Sequence, residues 1–172
     1  QPAERTYAKL SVGLFEEMYR GVAGQLAYFA PGSRWIGELS TEAVEQRDFK
    51  GWFGKRDYKT VTGLASLHYK LPEGITATAR AGRFLAKDSG VRFEFKRRFK
   101  SGIEAGAWYT FTDGKDTTSP GTPSSPYHDK GVFLSIPLNT LTPTDTQSVG
   151  HYSLSPWTRD VAQDITHFDN LF

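Results

Sequence analysis

Apolar and polar side chains alternate residue by residue in about nine segments of this chain, and this alternation limits the possible fold more than any other feature. In residues 91–99 the odd positions are Val91, Phe93, Phe95, Arg97 and Phe99, and the even positions are Arg92, Glu94, Lys96 and Arg98. Successive side chains of a β-strand point to opposite faces, so this segment has one mainly apolar face and one charged face. No helical period of comparable length occurs, and the sequence therefore predicts an all-β fold.

The alternation predicts the positions of the strands. They lie near Tyr7–Phe15, Gly21–Ala30, Arg34–Gln46, Tyr58–Leu71, Ile75–Ala86, Val91–Phe99, Ile103–Thr112, Val132–Leu138 and Ser148–Ser155. In an up-and-down meander the two longest connections, 47–57 and 113–131, fall at one end, and tight turns such as Pro-Glu-Gly fall at the other. This distribution is typical of outer-membrane barrels. We predict one domain over residues 1–172, an antiparallel up-and-down meander of about eight to ten strands that forms a transmembrane β-barrel or part of one.

The composition is compatible with that prediction. The 172 residues suffice for one domain, and 21 basic against 19 acidic residues argue against a nucleic-acid surface. The absence of cysteine excludes disulfides and thiolate sites. The mean hydropathy of -0.49 does not exclude a membrane, because only every other residue of a barrel strand is apolar. Since the chain starts at Gln1 without a signal-peptide pattern, we expect a processed product or a fragment.

Several sequence blocks resemble the YjbH family. They are Val12-Gly-Leu-Phe-Glu-Glu-Met18, Gln46-Arg-Asp-Phe49 with Lys55-Arg-Asp-Tyr-Lys-Thr-Val-Thr-Gly63, Gly82-Arg-Phe-Leu-Ala86, Asp129-Lys-Gly-Val-Phe-Leu-Ser-Ile-Pro137 and Leu154-Ser-Pro-Trp-Thr-Arg-Asp160. The blocks occur in order along almost the whole chain. Where the family has Leu-Thr-Arg-Asp-Gly-Gly, this chain has Trp157-Thr-Arg-Asp-Val-Ala162 and lacks the glycine pair.

The resemblance implies a place in the bacterial outer membrane and a role in exopolysaccharide biosynthesis and export. Members of the family are several times longer than this chain, so it corresponds to a carboxy-terminal portion. The implied partners are outer-membrane lipid and lipopolysaccharide, an anionic polysaccharide, and other subunits of the export machinery or the missing part of a longer chain. No nucleic acid is expected.

The sequence contains no motif that predicts catalysis. The histidines lack zinc-site spacing, and nucleophile-elbow, P-loop and dinucleotide motifs are absent. Glu38 and Glu42 lie about 13 Å apart by strand rise, which is too far for a glycosidase pair. Tyr127-His128-Asp129 favours an ordinary solvated loop over a ligand cluster. We expect no enzyme activity, no cofactor and no metal.

The charged strand face supplies the candidate binding residues. They are Arg80, Arg92, Glu94, Lys96, Arg98, Glu104 and Trp108. In a barrel this face lines the lumen, where Arg and Glu form cross-strand pairs. One interpretation is a polar core that holds a small barrel together. The other is a path or site for an anionic polysaccharide, with Trp108 as the aromatic platform.

Two arginines lie at alternating positions that are otherwise apolar, which we call the apolar parity, and they test this orientation of the sheet. Arg83 and Arg97 face lipid in a barrel, so both must lie near a rim, where a cation costs only about 0 to 1 kcal/mol. Their long stems can then reach the interface. The same interfaces are expected to carry aromatic side chains, and Tyr28, Trp35, Tyr69 and Tyr109 supply them.

A second group of candidates lies between the third and fourth predicted strands. Arg47, Asp48, Trp52, Arg56 and Asp57 form a repeated Arg-Asp-aromatic pattern. Local Arg/Asp pairing predicts a loop folded back over the barrel mouth, and contact with a partner or glycan is the alternative.

The carboxy-terminal segment and the environment of the sheet leave alternatives open. Residues Asp164–Phe172 are compatible with a tenth strand or a plug, and the chain is also compatible with half of a larger barrel. The alternative fold is a soluble β-barrel or β-sandwich that binds carbohydrate or a small ligand, with the apolar parity pointing inward.

Overall fold

The computed structural model describes residues 5–16, 19–48, 55–114, 129–138, 148–154 and 161–165. The strands are β1 Thr6–Glu16, β2 Tyr19–Phe29, β3 Trp35–Arg47, β4 Lys55–Lys70, β5 Ile75–Arg83, β6 Ser89–Arg98, β7 Glu104–Thr112, β8 Lys130–Pro137 and β9 Val149–Leu154. A 3-10 turn at Pro72–Gly74 connects β4 and β5. Within the described part of the chain, no helix is both long and apolar enough to cross a membrane.

The nine strands form one antiparallel sheet in the order of the sequence. Each strand pairs with the next, from β1 with β2 to β8 with β9. The predicted all-β meander is therefore confirmed. No ladder joins β1 to β9 in the described residues, so the sheet is open there, and the transmembrane barrel stays a prediction.

Two strand ends, the end of β5 and the start of β4, differ from the prediction by three residues, and the other ends differ by two or fewer. β5 ends at Arg83 rather than Ala86, because the amide of Phe84 donates to the carbonyl of Asp88 at 2.8 Å and closes a turn. The turn contains Lys87 at a positive φ of 69°.

The second difference concerns the predicted connection between β3 and β4. The pairing of these strands continues to Arg47 opposite Lys55, after a register shift beyond Glu45. Arg47 is therefore the last residue of β3, and Arg56 and Asp57 belong to β4. The prediction that these three residues lie in a loop is wrong.

The two faces of the sheet are exposed to different degrees. The apolar parity, which we call the outer face, carries exposed side chains such as Leu10 (80%) and Phe95 (61%). The polar parity, which we call the inner face, carries buried ones such as Glu42 (3%) and Thr110 (0%). An antiparallel sheet of a soluble protein normally buries its apolar face and exposes its polar one. In this sheet that relation is reversed.

Apolar packing occurs on the inner face near the end where the longer connections lie, which we call the long-loop end. A buried cluster is formed there by Phe15, Tyr19, Ala23, Val44, Leu85 and Ile165, with Tyr58 packed against it. The hydroxyl of Tyr58 donates to the carbonyl of Leu85 at 2.6 Å. The inner face is thus charged only in part, although the alternation of residues 91–99 predicted a charged wall.

Residues 161–165 lie against the inner face. Val161, Ala162 and Ile165 are buried, and the carbonyl of Gln163 accepts a hydrogen bond of 2.9 Å from the amide of Leu85. The predicted tenth strand and the alternative plug both extend to Phe172. Because residues 166–172 lie outside the described residues, both stay predictions.

Candidate functional site

The strand register places the predicted arginines side by side on the inner face. Ser66 of β4, Arg80 of β5, Arg92 of β6 and Thr110 of β7 are successive partners across the sheet. The neighbouring row contains Thr78, Glu94 and Trp108. The alternation places these groups on one face, and the observed register brings them side by side.

Arg92 is the centre of the charged network. Its Nε donates to Thr110 Oγ1 at 2.9 Å, and its Nη2 donates to Asp129 Oδ2 at 3.0 Å and to the carbonyl of Ala162. Its Nη1 lies 3.3 Å from Asp164 Oδ1. The guanidinium therefore joins β6 and β7 to the start of β8 and to the segment 161–165.

Asp164 lies between both arginines. It pairs with Arg80 Nη1 as well as Arg92, and Arg80 Nε also donates to Ser66 Oγ at 3.2 Å. Burial acts to raise the pKa of the Asp164 carboxyl, but the charges of Arg80 and Arg92 oppose it and hold that pKa below its ordinary value. The carboxylate is thus ionised at neutral pH and fixes residues 161–165 to the inner face.

Trp108 is held in a defined orientation. Its Nε1 donates to Asp129 Oδ2 at 2.7 Å, and its ring lies 6.2 Å from that of Phe133. A Cβ on Gly131 would lie 2.5 Å from the indole, and one on Gly106 would lie 2.5 Å from the Phe133 ring. The two glycines allow the aromatic rings to lie over the neighbouring strands, as glycines in strands commonly do at close approaches.

A polar cavity of about 400 Å³ lies between this network and the last strands. Of the predicted lumen residues, its lining includes Arg80, Arg92, Glu94, Lys96 and Trp108. The aromatic Phe133 and the histidines His68 and His151 also line it. Charged donors, carboxylate acceptors and flat aromatic faces together suit a hydroxyl-rich ligand.

Two of the predicted lumen residues lie beside the cavity rather than in its lining. Glu104 is 3.8 Å from both Lys96 Nζ and Arg98 Nε. Arg98 is the last residue of β6 and its side chain is 71% exposed. These pairs extend the charged face toward the end of the sheet where the tight turns lie, which we call the short-turn end.

The four loop candidates that the structure describes do not line the cavity. Arg47 and Asp48 are half-buried, and Arg56 and Asp57 are exposed, all at the long-loop end. Trp52 lies outside the described residues, as do Tyr127 and His128. No cluster of three or more metal-ligating side chains occurs in the described residues.

Sequence reasoning missed several residues of the site. Asp129 and Asp164 lie outside the alternating segments, so no periodicity indicates which arginines they contact. Phe133 and His151 lie in strands, and the parity of β8 and β9 was sufficient to place them on the inner face.

Comparisons with known proteins identify related sequences. A family model named YjbH, described as "Exopolysaccharide biosynthesis protein YbjH", matches residues 1–172. The chain is 28% identical over 165 residues to the uncharacterized lipoprotein YjbH of Escherichia coli (strain K12). This match covers 92% of the chain but only 23% of that relative. No solved structure is significantly similar to the chain.

Proposed function

Because the chain belongs to the YjbH family of exopolysaccharide biosynthesis proteins, we propose that it forms a β-barrel wall, or part of one, in the bacterial outer membrane. In this proposal the outer face meets lipid and the inner face lines a polar lumen. The lumen has a structural or conduit role in polysaccharide export, and we assign no catalytic step to it.

The reversed exposure of the two faces is the observation that carries the proposal. Large side chains such as Leu10, Val12 and Phe95 are more than half exposed, while Glu42, His68 and Arg92 are buried. In water such an outer face loses the hydrophobic contribution to folding, whereas in a bilayer it contacts acyl chains. The alternative, a soluble carbohydrate-binding barrel or sandwich, requires the apolar parity to point inward.

The outward-facing arginines are also compatible with a bilayer. Arg83 is the last residue of β5, and Arg97 is the next to last of β6. Both therefore lie at strand ends, where a cation reaches the interface at little cost. Trp35 and Tyr69, 4.4 Å apart by ring centroids, supply aromatic side chains at the short-turn end.

Within the lumen, the charged groups divide between two roles. Arg80 and Arg92 are compensated by Asp164 and Asp129, so they hold the polar core together. Glu94, Lys96 and Trp108 face the remaining cavity. We assign the contact with polysaccharide to this second group, because a sugar ring stacks on an aromatic face and its hydroxyls bond to charged neighbours.

The sheet edges require a partner in this proposal. β1 and β9 each have one unpaired edge in the described residues, and unpaired edges attract further strands. The chain spans about a quarter of its E. coli relative, so the rest of a longer chain or another export subunit is the partner we propose for these edges.

Membrane extraction tests the location. Membranes from cells that express the protein are washed with alkaline carbonate and then with detergent. We expect the protein to resist carbonate and to dissolve only in detergent, because the outer face needs an apolar environment. A monodisperse protein that stays soluble without detergent would support the soluble alternative and overturn the proposal.

A matched pair of tryptophan variants tests the conduit role. Trp108→Leu removes the aromatic face in the cavity, and Trp35→Leu removes an aromatic of the outer face. With equal amounts of protein in the membrane, we expect Trp108→Leu to lower secreted exopolysaccharide several-fold and Trp35→Leu to leave it nearly unchanged. Equal secretion by both variants would assign the inner face a structural role alone.

A further inference from the structure

A groove of about 900 Å³ lies at the long-loop end of the sheet, away from the charged cavity. Its apolar lining comes from the outer face of β1 to β4, with Val12, Leu14, Val22 and Val61. These residues lie near one end of their strands, beside the connections that follow β1, β3 and β5. The groove is therefore a feature of the outer face at one rim.

Cations surround the apolar part of the groove. Arg20, Lys59, Arg83 and Lys87 line it together with one carboxylate, that of Glu45. Four positive charges against one negative charge leave an excess of three. Glu45 is 3.1 Å from Arg20 Nη2 and 3.3 Å from Lys59 Nζ, so one acid is shared by two bases.

The other two cations have no acidic partner among the described residues. Arg83, at the end of β5, makes no ion pair there, and Lys87 lies 5.0 Å above the ring of Tyr58. Both side chains are exposed. Because neither is paired with a carboxylate in the described part of the chain, an anion that approaches along the outer face can contact both.

At the opposite end of the outer face, the strand cation is Arg97, and it has an acidic partner. Arg97 Nη2 is 3.3 Å from Glu73 Oε2, and its guanidinium lies 5.0 Å from the Phe99 ring. The stacked pair of Trp35 and Tyr69 lies at that same end. In the described part of the outer face, the short-turn end thus has an arginine paired with a carboxylate beside aromatic side chains, and the long-loop end has two cations without such a pair.

We propose that the groove binds a lipid that carries both acyl chains and headgroup phosphates. Acyl chains fit the valine- and leucine-lined part, and phosphates fit the cations at the rim, because basic pockets at membrane level bind anionic head groups. The inference rests on the proposed function. In that orientation the long-loop end faces outward, and the lipid is lipopolysaccharide of the outer leaflet.

Lipid titration of the detergent-purified chain tests this inference. Native mass spectrometry compares lipid A with two phosphates against the same lipid without phosphates. The variants are Arg83→Gln with Lys59→Gln in the groove, and Arg97→Gln as the matched control at the other rim. Circular dichroism confirms that each variant retains its strands.

We expect the phosphorylated lipid to bind about tenfold more tightly than the dephosphorylated one, since charge-assisted hydrogen bonds are the stronger ones. The double variant should lose most of this preference and Arg97→Gln should keep it. Equal affinity for the two lipids, or an equal loss in Arg97→Gln, would overturn the inference. Displacement of the lipid by millimolar inorganic phosphate would also overturn it, because it would indicate a simple anion site.

The experiments can reject the outer-membrane role and the lipid site independently of each other. A protein that resists carbonate but shows no phosphate preference would retain the proposed function and lose the lipid site. A protein that is soluble in water would lose the outer-membrane role, and the same titration would still show whether the groove selects phosphorylated lipid.

Discussion

Arg92 shows how strongly the stability of the fold can depend on the partners of one buried charge. Its side chain is 11% exposed, and its acidic partner Asp129 is fully buried. Buried charges cost several kcal/mol unless partners compensate them. Thr110, Ala162 and Asp164 complete the compensation. The pair therefore depends on all the elements that meet at this point.

Removing both members of the pair should cost less than the sum of the costs of removing each one. We expect Arg92→Met to lower the free energy of unfolding by about 3–5 kcal/mol, because Asp129 is left buried without its cation. The double variant Arg92→Met/Asp129→Asn should cost less than the sum of the single changes, by about 1–3 kcal/mol. Urea unfolding in detergent, followed by tryptophan fluorescence, measures both quantities.

Arg98 provides the matched control for this cycle. It pairs with Glu104 at 3.8 Å but is 71% exposed, so Arg98→Met should change stability by less than about 1 kcal/mol. A loss in Arg92→Met no larger than that of the control would contradict the structural role of the buried pair.

For single residues, the sequence predicted the face of the sheet on which a side chain lies but not the side chains that it contacts. Parity placed Arg80, Arg92 and Trp108 on one face, and the register confirms it. Asp129 and Asp164 come from segments without alternation, so their contacts depend on how the chain returns across the sheet. Tertiary packing determines this path of the chain, and local sequence patterns do not indicate it.

Among the elements, the segment 161–165 has the least regular structure and the most specific contacts. The Ala162 amide donates to Asp88 Oδ2 at 2.9 Å, Gln163 bonds to Leu85, and Asp164 pairs with two arginines. Ile165 joins the buried apolar cluster. The segment thus links the charged half of the inner face to its apolar half.

The docking of this segment should depend on pH in a defined direction. Since the pKa of Asp164 is lowered, its contribution is complete above the ordinary aspartate pKa of about 3.9 and is lost as the pH falls through the folded-state value. We expect amides of residues 161–165 to stay protected at pH 7 and at pH 5, and to lose protection only below the ordinary aspartate range. Hydrogen exchange with mass spectrometry, corrected for intrinsic rates, measures this.

Asp164→Asn should remove the pH dependence of amide protection in residues 161–165. We expect about tenfold faster exchange of the segment in this variant at pH 7, and little further change on acidification. Glu73→Gln, which changes an exposed carboxylate paired with Arg97, serves as the control. Wild-type protection that falls already near neutral pH would contradict the role given to Asp164.

The strands themselves were predictable because two-residue periodicity is a local property. Each observed strand overlaps its predicted segment, and errors are confined to ends such as that of β5. There, a turn around Lys87 draws Phe84 and Leu85 into buried positions. The alternation could not indicate this, because both side chains are apolar and fit either parity.

For the whole molecule, the central question is which medium covers the outer face. Exposed Leu39 near the middle of β3 pairs across the sheet with Leu26 and Ala65, so an apolar band runs along the sheet at this level. Leu71, directly after the last residue of β4, lies on the same face at the short-turn end and is also exposed, 37% against 56% for Leu39. In water a lysine is tolerated at both positions. In a bilayer they lie at different depths.

A lysine at each of these positions distinguishes the two media. In a membrane barrel, Leu39→Lys should lower the free energy of unfolding by about 2–4 kcal/mol and Leu71→Lys by about 0–1 kcal/mol, because the cost of a cation falls from the midplane to the interface. In a soluble protein both changes should stay within about 0.5 kcal/mol, because an exposed leucine already contacts water. Urea unfolding of the protein in phospholipid vesicles measures the difference. Equal, small effects at both positions would mean that depth has no influence, and the membrane orientation of the sheet would then be wrong.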